Sequence, residues 1–231
     1  MKGKIYMIPT TMGDSEIDAV IPRHVQDILR NTKYFVVEQI KTARRYMKKV
    51  DRDINIDELT FFELNKHTNP EDIHSFLNPA LEGLDIGIIS EAGCPGIADP
   101  GSSVTKLAHQ HDIQVVPLVG PSSILLALIA SGFNGQSFQF HGYIPKDRGE
   151  RIKRIKTLEQ QGRHSTQIFM ETPFRNDHLL EDLLKHLNPK TKLCIAVDIT
   201  LDTEWIQTKR ISAWKNETLS INKRPAIFLI G

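Results

Sequence analysis

The sequence predicts a two-domain α/β protein, the first domain built on a mostly parallel sheet and the second on a mixed one. Three observations carry this. Short apolar runs alternate with helical patterns along the chain, as βαβ units do. Runs such as Ile86, Ile88 and Ile89 are nearly continuous, as in strands covered on both faces. Near Val119–Ser122 the alternation loosens, and later runs follow one another with little helix between them. The 231 residues suffice for two domains of about 115 each. The expected domains are residues 1–119 and 120–231, with a cofactor cleft between them.

In order, Ile5–Ile8 reads as the first strand, ended by Pro9. A helix is expected from near Pro22, a residue tolerated at a first helical position, with Val25, Ile28 and Leu29 as its stripe. Tyr34–Val37 and Leu59–Leu64 read as strands, and the basic stretch from Lys41 to Lys49 as helical. The spacing of Ile73, Phe76, Leu77 and Leu81 predicts a helix over 70–81. Strands at Leu84–Ile89 and Ile113–Val119 flank a helix at 102–111, and an apolar helix spans 122–131. Strands at Phe138–Ile144 and Gln167–Met170 are separated by a charged helix at 148–161, and a helix at 174–187 follows. Leu193–Ile199, Trp205–Trp214 and Ala226–Ile230 complete a sheet expected to contain antiparallel hairpins.

Composition narrows the functional classes. Hydrophobic residues make up 40% and charged residues 25%, and the formal charge is +1. No global field recruits nucleic acid or membrane, so electrostatic recognition has to be local. The two cysteines, Cys94 and Cys194, build no disulfide framework or zinc spacing. His109 and His111, two apart near a helix end, do not share a face, and no metal is inferred. The apolar run at the start is too short for a secretory or membrane-spanning segment. A soluble cytoplasmic protein is expected.

Three loops at expected strand ends look specialised: Pro9 to Asp14, Ser90 to Gly101, and Gly120 to Ser123. Ligands of open α/β sheets bind beyond the carboxyl ends of the strands. In the second loop Gly93, Gly96 and Gly101 allow close backbone approach, while Pro95 and Pro100 fix the path. That composition suits a wall of main-chain donors and acceptors around a small ligand, and it suits a tight structural connection equally. Ser122 and Ser123 serve as helix caps or ligand contacts. Dinucleotide, P-loop and nucleophile-elbow motifs are missing from the sequence. Cys94 has no assigned histidine partner, so it reads as a small loop residue rather than a nucleophile.

At these loops the chain resembles the tetrapyrrole methylase superfamily of S-adenosylmethionine methyltransferases. Within it, the chain is most similar to the ribosomal RNA small-subunit methyltransferase I branch, which methylates a cytidine ribose 2′-oxygen. The branch's D-A-G-T-P-G-I-S-D-P-G reads here Glu91-Ala-Gly-Cys-Pro-Gly-Ile-Ala-Asp-Pro-Gly101. The likeness continues through Val115-Val116-Pro117, Gly120-Pro121-Ser122-Ser123, Ser131-Gly132-Phe133, Gly142-Tyr143-Ile144-Pro145-Lys146 and Gly149-Glu150-Arg151. Glu171-Thr172-Pro173-Phe174-Arg175 stands where the branch has E-S-P-H-R.

The resemblance implies S-adenosylmethionine as cofactor, held by Pro9, Gly93, Cys94, Ile97, Ser122, Ser123, Met170 and Asp198, with Pro95 and Gly96 completing the glycine-loop wall. It also implies a homodimer and a ribosomal RNA or small-subunit partner. The chain departs from the branch at Thr11-Met12-Gly13-Asp14 for P-I-G-N and at Glu38-Gln39-Ile40-Lys41 for E-D-T-R. It departs again at Asp198-Ile199-Thr200-Leu201 for E-L-T-K, where the lysine is lost.

Methyl transfer to a hydroxyl needs alignment and benefits from a general base, for which Glu38, Glu91 and Glu171 are candidates. Each also suits a cap or an ion pair. Two basic clusters, one with Arg44 and Arg45 and one with Arg151 and Arg154, are candidates for RNA phosphates or simply solvated helix faces. Two other readings remain: methylation of a tetrapyrrole or other small acidic molecule, and a binding module without activity.

Overall fold

The computed structural model describes residues 1–69, 71–97 and 101–231. The chain divides into two compact units, Met1–Ser122 and Ser123–Gly231.

In the first unit, among the described residues, the apolar runs become β1 (Ile5–Ile8), β2 (Tyr34–Val37), β3 (Thr60–Glu63), β4 (Ile86–Ile89) and β5 (Val115–Pro117). They form one parallel sheet in the order β3-β2-β4-β1-β5. The strands from β1 to β3 progress one way across the sheet, and those from β3 to β5 come back. Right-handed crossovers therefore put the two sets of helices on opposite faces. On one face α1 (Ile17–Val20), α2 (Arg23–Asn31) and α3 (Ile40–Val50) pack Ile17, Val25, Leu29 and Met47 onto Ile8, Phe35 and Ile89. On the other, α4 (Asn78–Leu81) and α5 (Gly101–Gln110) bring Ala80, Val104 and Ala108 to Ile5, Met7, Ile86 and Ile88. Burying each such large side chain contributes about 1.5–3 kcal/mol.

In the second unit α6 (Ser123–Ser131) lies against β8 (Lys192–Val197), β9 (Trp205–Arg210) and β10 (Ala226–Ile230). With β6 (Phe138–Tyr143) and β7 (Thr166–Met170) these strands form a mixed sheet in the order β6-β7-β10-β8-β9. β6 and β7 run parallel, while β10 is antiparallel to both of its neighbours. The carboxyl ends of β6, β7 and β8 consequently share one edge of the sheet. α7 (Arg148–Gln161) and α8 (Asn176–His186) cover Phe169, Ile195 and Phe228 with Ile155, Leu158, Leu179 and Leu183.

Some expectations are corrected. The helix expected over 70–81 is a 3₁₀ run, Asp72–Leu77, followed by the short α4, with Pro79 in its first turn. Pro79 lacks the N–H that a continuous α-helix needs there, and its ring would clash with the preceding turn. Pro70, at the expected start, lies outside the described residues. The run Trp205–Trp214 changes type at residue 211: β9 ends at Arg210 and α9 (Ile211–Trp214) follows, burying Ile211 and Trp214 on a helical three-residue spacing. The Trp214 indole donates to the Leu193 carbonyl at 3.0 Å, which fixes the turn. The helix expected at 174–187 begins as a 3₁₀ turn, Pro173–Arg175. The short helix α1 went unread in the sequence.

Candidate active site

The chain leaves β1 toward one face of the parallel sheet and β4 toward the other. Their loops therefore part at the carboxyl edge between these strands, which is where open α/β sheets form a crevice. Before parting they join. Thr10 N–H donates to the Gly93 carbonyl at 2.9 Å in an antiparallel bridge. The Ser90 hydroxyl donates to the same carbonyl at 3.2 Å. From the third loop, the Pro121 carbonyl accepts from Cys94 Sγ at 3.3 Å. Gly120 lies so close to Pro9 that a Cβ at residue 120 would stand 2.2 Å from the Pro9 Cβ. Gly93 takes φ +71° and Gly96 φ +84°, conformations that L side chains rarely adopt. The result is a cradle whose surface is largely main chain.

Tyr46 on α3 pins the first loop from behind. Its buried hydroxyl donates to the Pro9 carbonyl at 2.8 Å, and burial pushes the phenol pKa far above its ordinary value. The hydroxyl therefore stays protonated and a donor at any pH the protein meets.

Beside the cradle, still within the first unit, opens a cleft of about 370 Å³ lined by Thr10, Thr11, Thr42, Arg45, Lys49 and Glu91 among others. Lys49 pairs with Asp14 at 2.7 Å at this site, and that hydrogen bond, then the lysine's charge, lowers the Asp14 carboxyl pKa. Arg44 is directed elsewhere, its guanidinium 5.4 Å above the Phe61 ring. Glu38 follows β2 and lines a small recess with Leu64 and Pro95.

The shared edge of the second sheet is built from charged side chains instead. Glu171, after β7, is buried; it accepts from Thr172 N–H at 2.7 Å and from the Arg175 guanidinium. That bond raises the Arg175 pKa, desolvation opposes it, and the charges of Glu171 and Tyr143 add to the rise. Asp198, after β8, has φ +50° and accepts from Arg224 at 2.7 Å and from the Thr203 hydroxyl at 2.8 Å. Arg151 is buried against Asp182 at 2.7 Å, so a phosphate at the surface would not meet its guanidinium. Burial alone would push Asp182 up, but hydrogen bonds and charge from Arg151 and Arg148 win and hold it below the usual carboxylate range. Arg154 donates to His141 Nδ1 at 2.6 Å, which leaves the imidazole Nε2–H to donate to Gln167 Oε1 at 2.6 Å.

Residues 5–213 match the family model described as tetrapyrrole (corrin/porphyrin) methylases. The chain belongs to the tetrapyrrole methylase family. Methyl transfer is that family's chemistry, and this chain is a methyltransferase. The ribosomal RNA small subunit methyltransferase I of Vibrio cholerae is 32% identical over 203 residues, covering 88% of this chain and 67% of that protein. Its namesake from Escherichia coli O157:H7 is 25% identical over 232 residues, covering 99% of this chain and 78% of that one. Among solved structures, the methyltransferase CobJ superposes with a TM-score of 0.63 at 18% identity, covering 99% of this chain and 94% of its own. The cobalt precorrin-4 methyltransferase CbiF gives 0.60 at 14%, with the same coverage. At those identities the two structures speak for the fold.

Seen as a tetrapyrrole methylase, the chain brings Pro9, Gly93, Cys94, Pro95, Gly96 and Ile97 to one strand-end edge, with Ser122 closing the third loop. Ser123 opens α6 in the second unit. Met170 ends β7 and Asp198 follows β8, at the shared edge of the second sheet. Glu91 and Arg45 both line the cleft, while Glu171 is engaged by Arg175. Ala98, Asp99 and Pro100 of the glycine loop lie outside the described residues. Tyr46 was not singled out from sequence, although Ala43, Tyr46 and Met47 share a helical spacing that marks the buried side of α3.

Proposed function

We propose that this chain transfers a methyl group from S-adenosylmethionine to a ribose 2′-oxygen of small-subunit ribosomal RNA. The observation that carries the reading is the cradle in which Thr10 bridges Gly93, Cys94 bonds Pro121 and Gly120 abuts Pro9. Its fit to the cofactor is in its make-up. Gly93 and Gly120 let the three loops close on one another, a Cβ at 120 falling 2.2 Å from Pro9 and one at 93 falling 3.2 Å from the Pro121 carbonyl. The wall offered to an adenine edge and an amino-acid tail is therefore largely main chain. The names of the relatives and the ordered motifs support the RNA substrate. No helix among the described residues is long and apolar enough to cross a membrane.

When bound, S-adenosylmethionine supplies an electrophilic methyl group on a sulfonium. The protein's work is then alignment and proton handling. Gly93, Cys94, Pro95, Gly96, Ile97 and Ser122 hold the donor; Pro9 braces the cradle, itself held by Tyr46. Arg45 and Lys49 hold an acceptor phosphate in the adjoining cleft. Transfer to a ribose hydroxyl would release that hydroxyl's proton, which a carboxylate of this chain would take. Glu91 is the best placed of the three carboxylates, exposed in that cleft. Self-association is assigned to Leu125 and Ile129, which stand four apart on α6 and are 48% and 77% exposed. The protein is read as a cytoplasmic homodimer.

The test is to offer labelled S-adenosylmethionine with unmodified small ribosomal subunits and, separately, with a small-molecule extract. Label in the RNA, at a ribose, is expected. Label confined to tetrapyrroles or other small acids would replace the RNA reading, and cofactor binding without transfer to either would replace the enzymatic one.

A further inference from the structure

We propose that the edge at the carboxyl ends of β6 and β7 is a stacking platform for single-stranded nucleic acid, on which Tyr143 and Phe174 receive unpaired bases. The inference rests on the RNA reading above and adds the residues that would grip the strand. Tyr143 ends β6 opposite Met170 of β7, and the next residue, Ile144, donates its N–H to the Met170 carbonyl at 3.1 Å. Phe174 follows one turn beyond the end of β7. Both rings stand out of the surface, Tyr143 59% and Phe174 72% exposed.

Phe174 is displayed by a fixed scaffold rather than a loose tip. On one side the Pro173 carbonyl accepts from Lys223 N–H at 2.9 Å. On the other, Arg175 is tethered to Glu171, whose side chain is fully buried. Glu171 Oε2 and Arg175 Nε are buried without a hydrogen-bond partner, so the carboxylate aims the guanidinium without satisfying it. The Arg175 side chain keeps 29% of its surface open.

Charge identifies the occupant. Lys146, three residues past Tyr143, and Lys223, bonded to Pro173, are exposed. The carboxylates at these strand ends, Glu171 and Asp198, are buried in ion pairs, and exposed Asp147, beside Lys146, is turned to cap α7 by accepting from Glu150 N–H at 2.9 Å. Exposed rings among exposed cations are complementary to a strand that offers π-faces and phosphates alternately. Stacking of this kind tolerates any base, so the platform would orient the strand and leave sequence choice to other contacts.

The test uses a short single-stranded RNA carrying one 2-aminopurine, whose fluorescence falls when the base stacks. The full chain should quench it on binding. Phe174→Ala and Tyr143→Ala should each weaken binding by about tenfold, as loss of one stacked base does. Phe174→Tyr should restore it, which separates a lost ring from a damaged fold. Phe138→Ala, which removes an exposed ring at the opposite end of β6, should change nothing. The proposal is overturned if saturating protein leaves the fluorescence unquenched, or if both alanine variants bind like the unaltered chain. It is overturned also if those variants abolish self-association while RNA affinity holds, for the rings would then serve a second copy. Methyl transfer by the same samples judges the catalytic reading separately: transfer without stacking removes the platform alone, and stacking without transfer keeps the platform and removes the activity.

Discussion

The two strand-end edges are made in opposite ways. At the first unit's edge, loops meet through main chain: a Thr10–Gly93 bridge, a thiol on the Pro121 carbonyl, a glycine pressed on a proline. At the second unit's edge and the helices beside it, charged side chains dominate, in the pairs Glu171–Arg175, Asp198–Arg224 and Asp182–Arg151. The contrast teaches what each can do. A main-chain cradle presents neutral donors and acceptors whose positions are set by backbone geometry, which suits recognition of one small molecule. Buried ion pairs carry a desolvation cost that only good geometry offsets, and they hold other charged groups in fixed directions.

The comparison can be broken at either edge. The largest effect is expected at Asp182, whose side chain is 2% exposed and whose partner Arg151 is 9% exposed. Asp182→Asn leaves a buried guanidinium uncompensated and should cost about 3–5 kcal/mol, seen as a fall in melting temperature on the order of 10 °C. An unchanged melting curve would mean that the pair is not buried in solution. At the first edge the expected loss is smaller. Tyr46→Phe strips the Pro9 carbonyl of its donor and should cost about 1–2 kcal/mol, measured by urea denaturation. It should also loosen cofactor binding a few-fold by calorimetry, and a variant as stable as the parent would show that the loop needs no such brace.

The smallest effect is a pH dependence. Burial, first, and the charge of Arg154 lower the His141 pKa from 6.5, outweighing the hydrogen bond to Gln167. The unfolded chain then binds the proton more readily than the folded one, so this site's contribution is complete above pH 6.5 and diminishes as pH falls through 6.5 toward the lower folded value. An NMR titration should find His141 below 6.5. His141→Gln should flatten the acid side of the stability profile, and a titration midpoint above 6.5 would reverse the sign.

Local pattern made much of this fold readable. Ile5–Ile8, Tyr34–Val37 and Ala226–Ile230, expected from apolar runs, and Arg148–Gln161, expected as a charged helix, occur with the expected bounds. The pattern failed where one residue overrode a stripe, as Pro79 does, or where a strand-like run turned helical at Ile211. The place of β10 between β7 and β8 was not readable either, because strand order is decided by tertiary pairing. The loops of the first edge announced themselves through glycine and proline, since backbone demands select those residues. Which atoms they join did not. Arg151 read as one member of a solvated basic cluster because its partner lies 31 positions away, at Asp182.

The central claim is that the first unit's main-chain cradle holds the methyl donor. Isothermal titration of the purified chain with S-adenosylmethionine, and with its demethylated product, tests it most directly when run beside Gly120→Ala, whose new methyl group would overlap Pro9. Saturable one-site binding by the unaltered chain, weakened at least tenfold in a variant that still melts cooperatively, is the predicted result. Absence of binding by the unaltered chain, or equal affinity in the two, would contradict it.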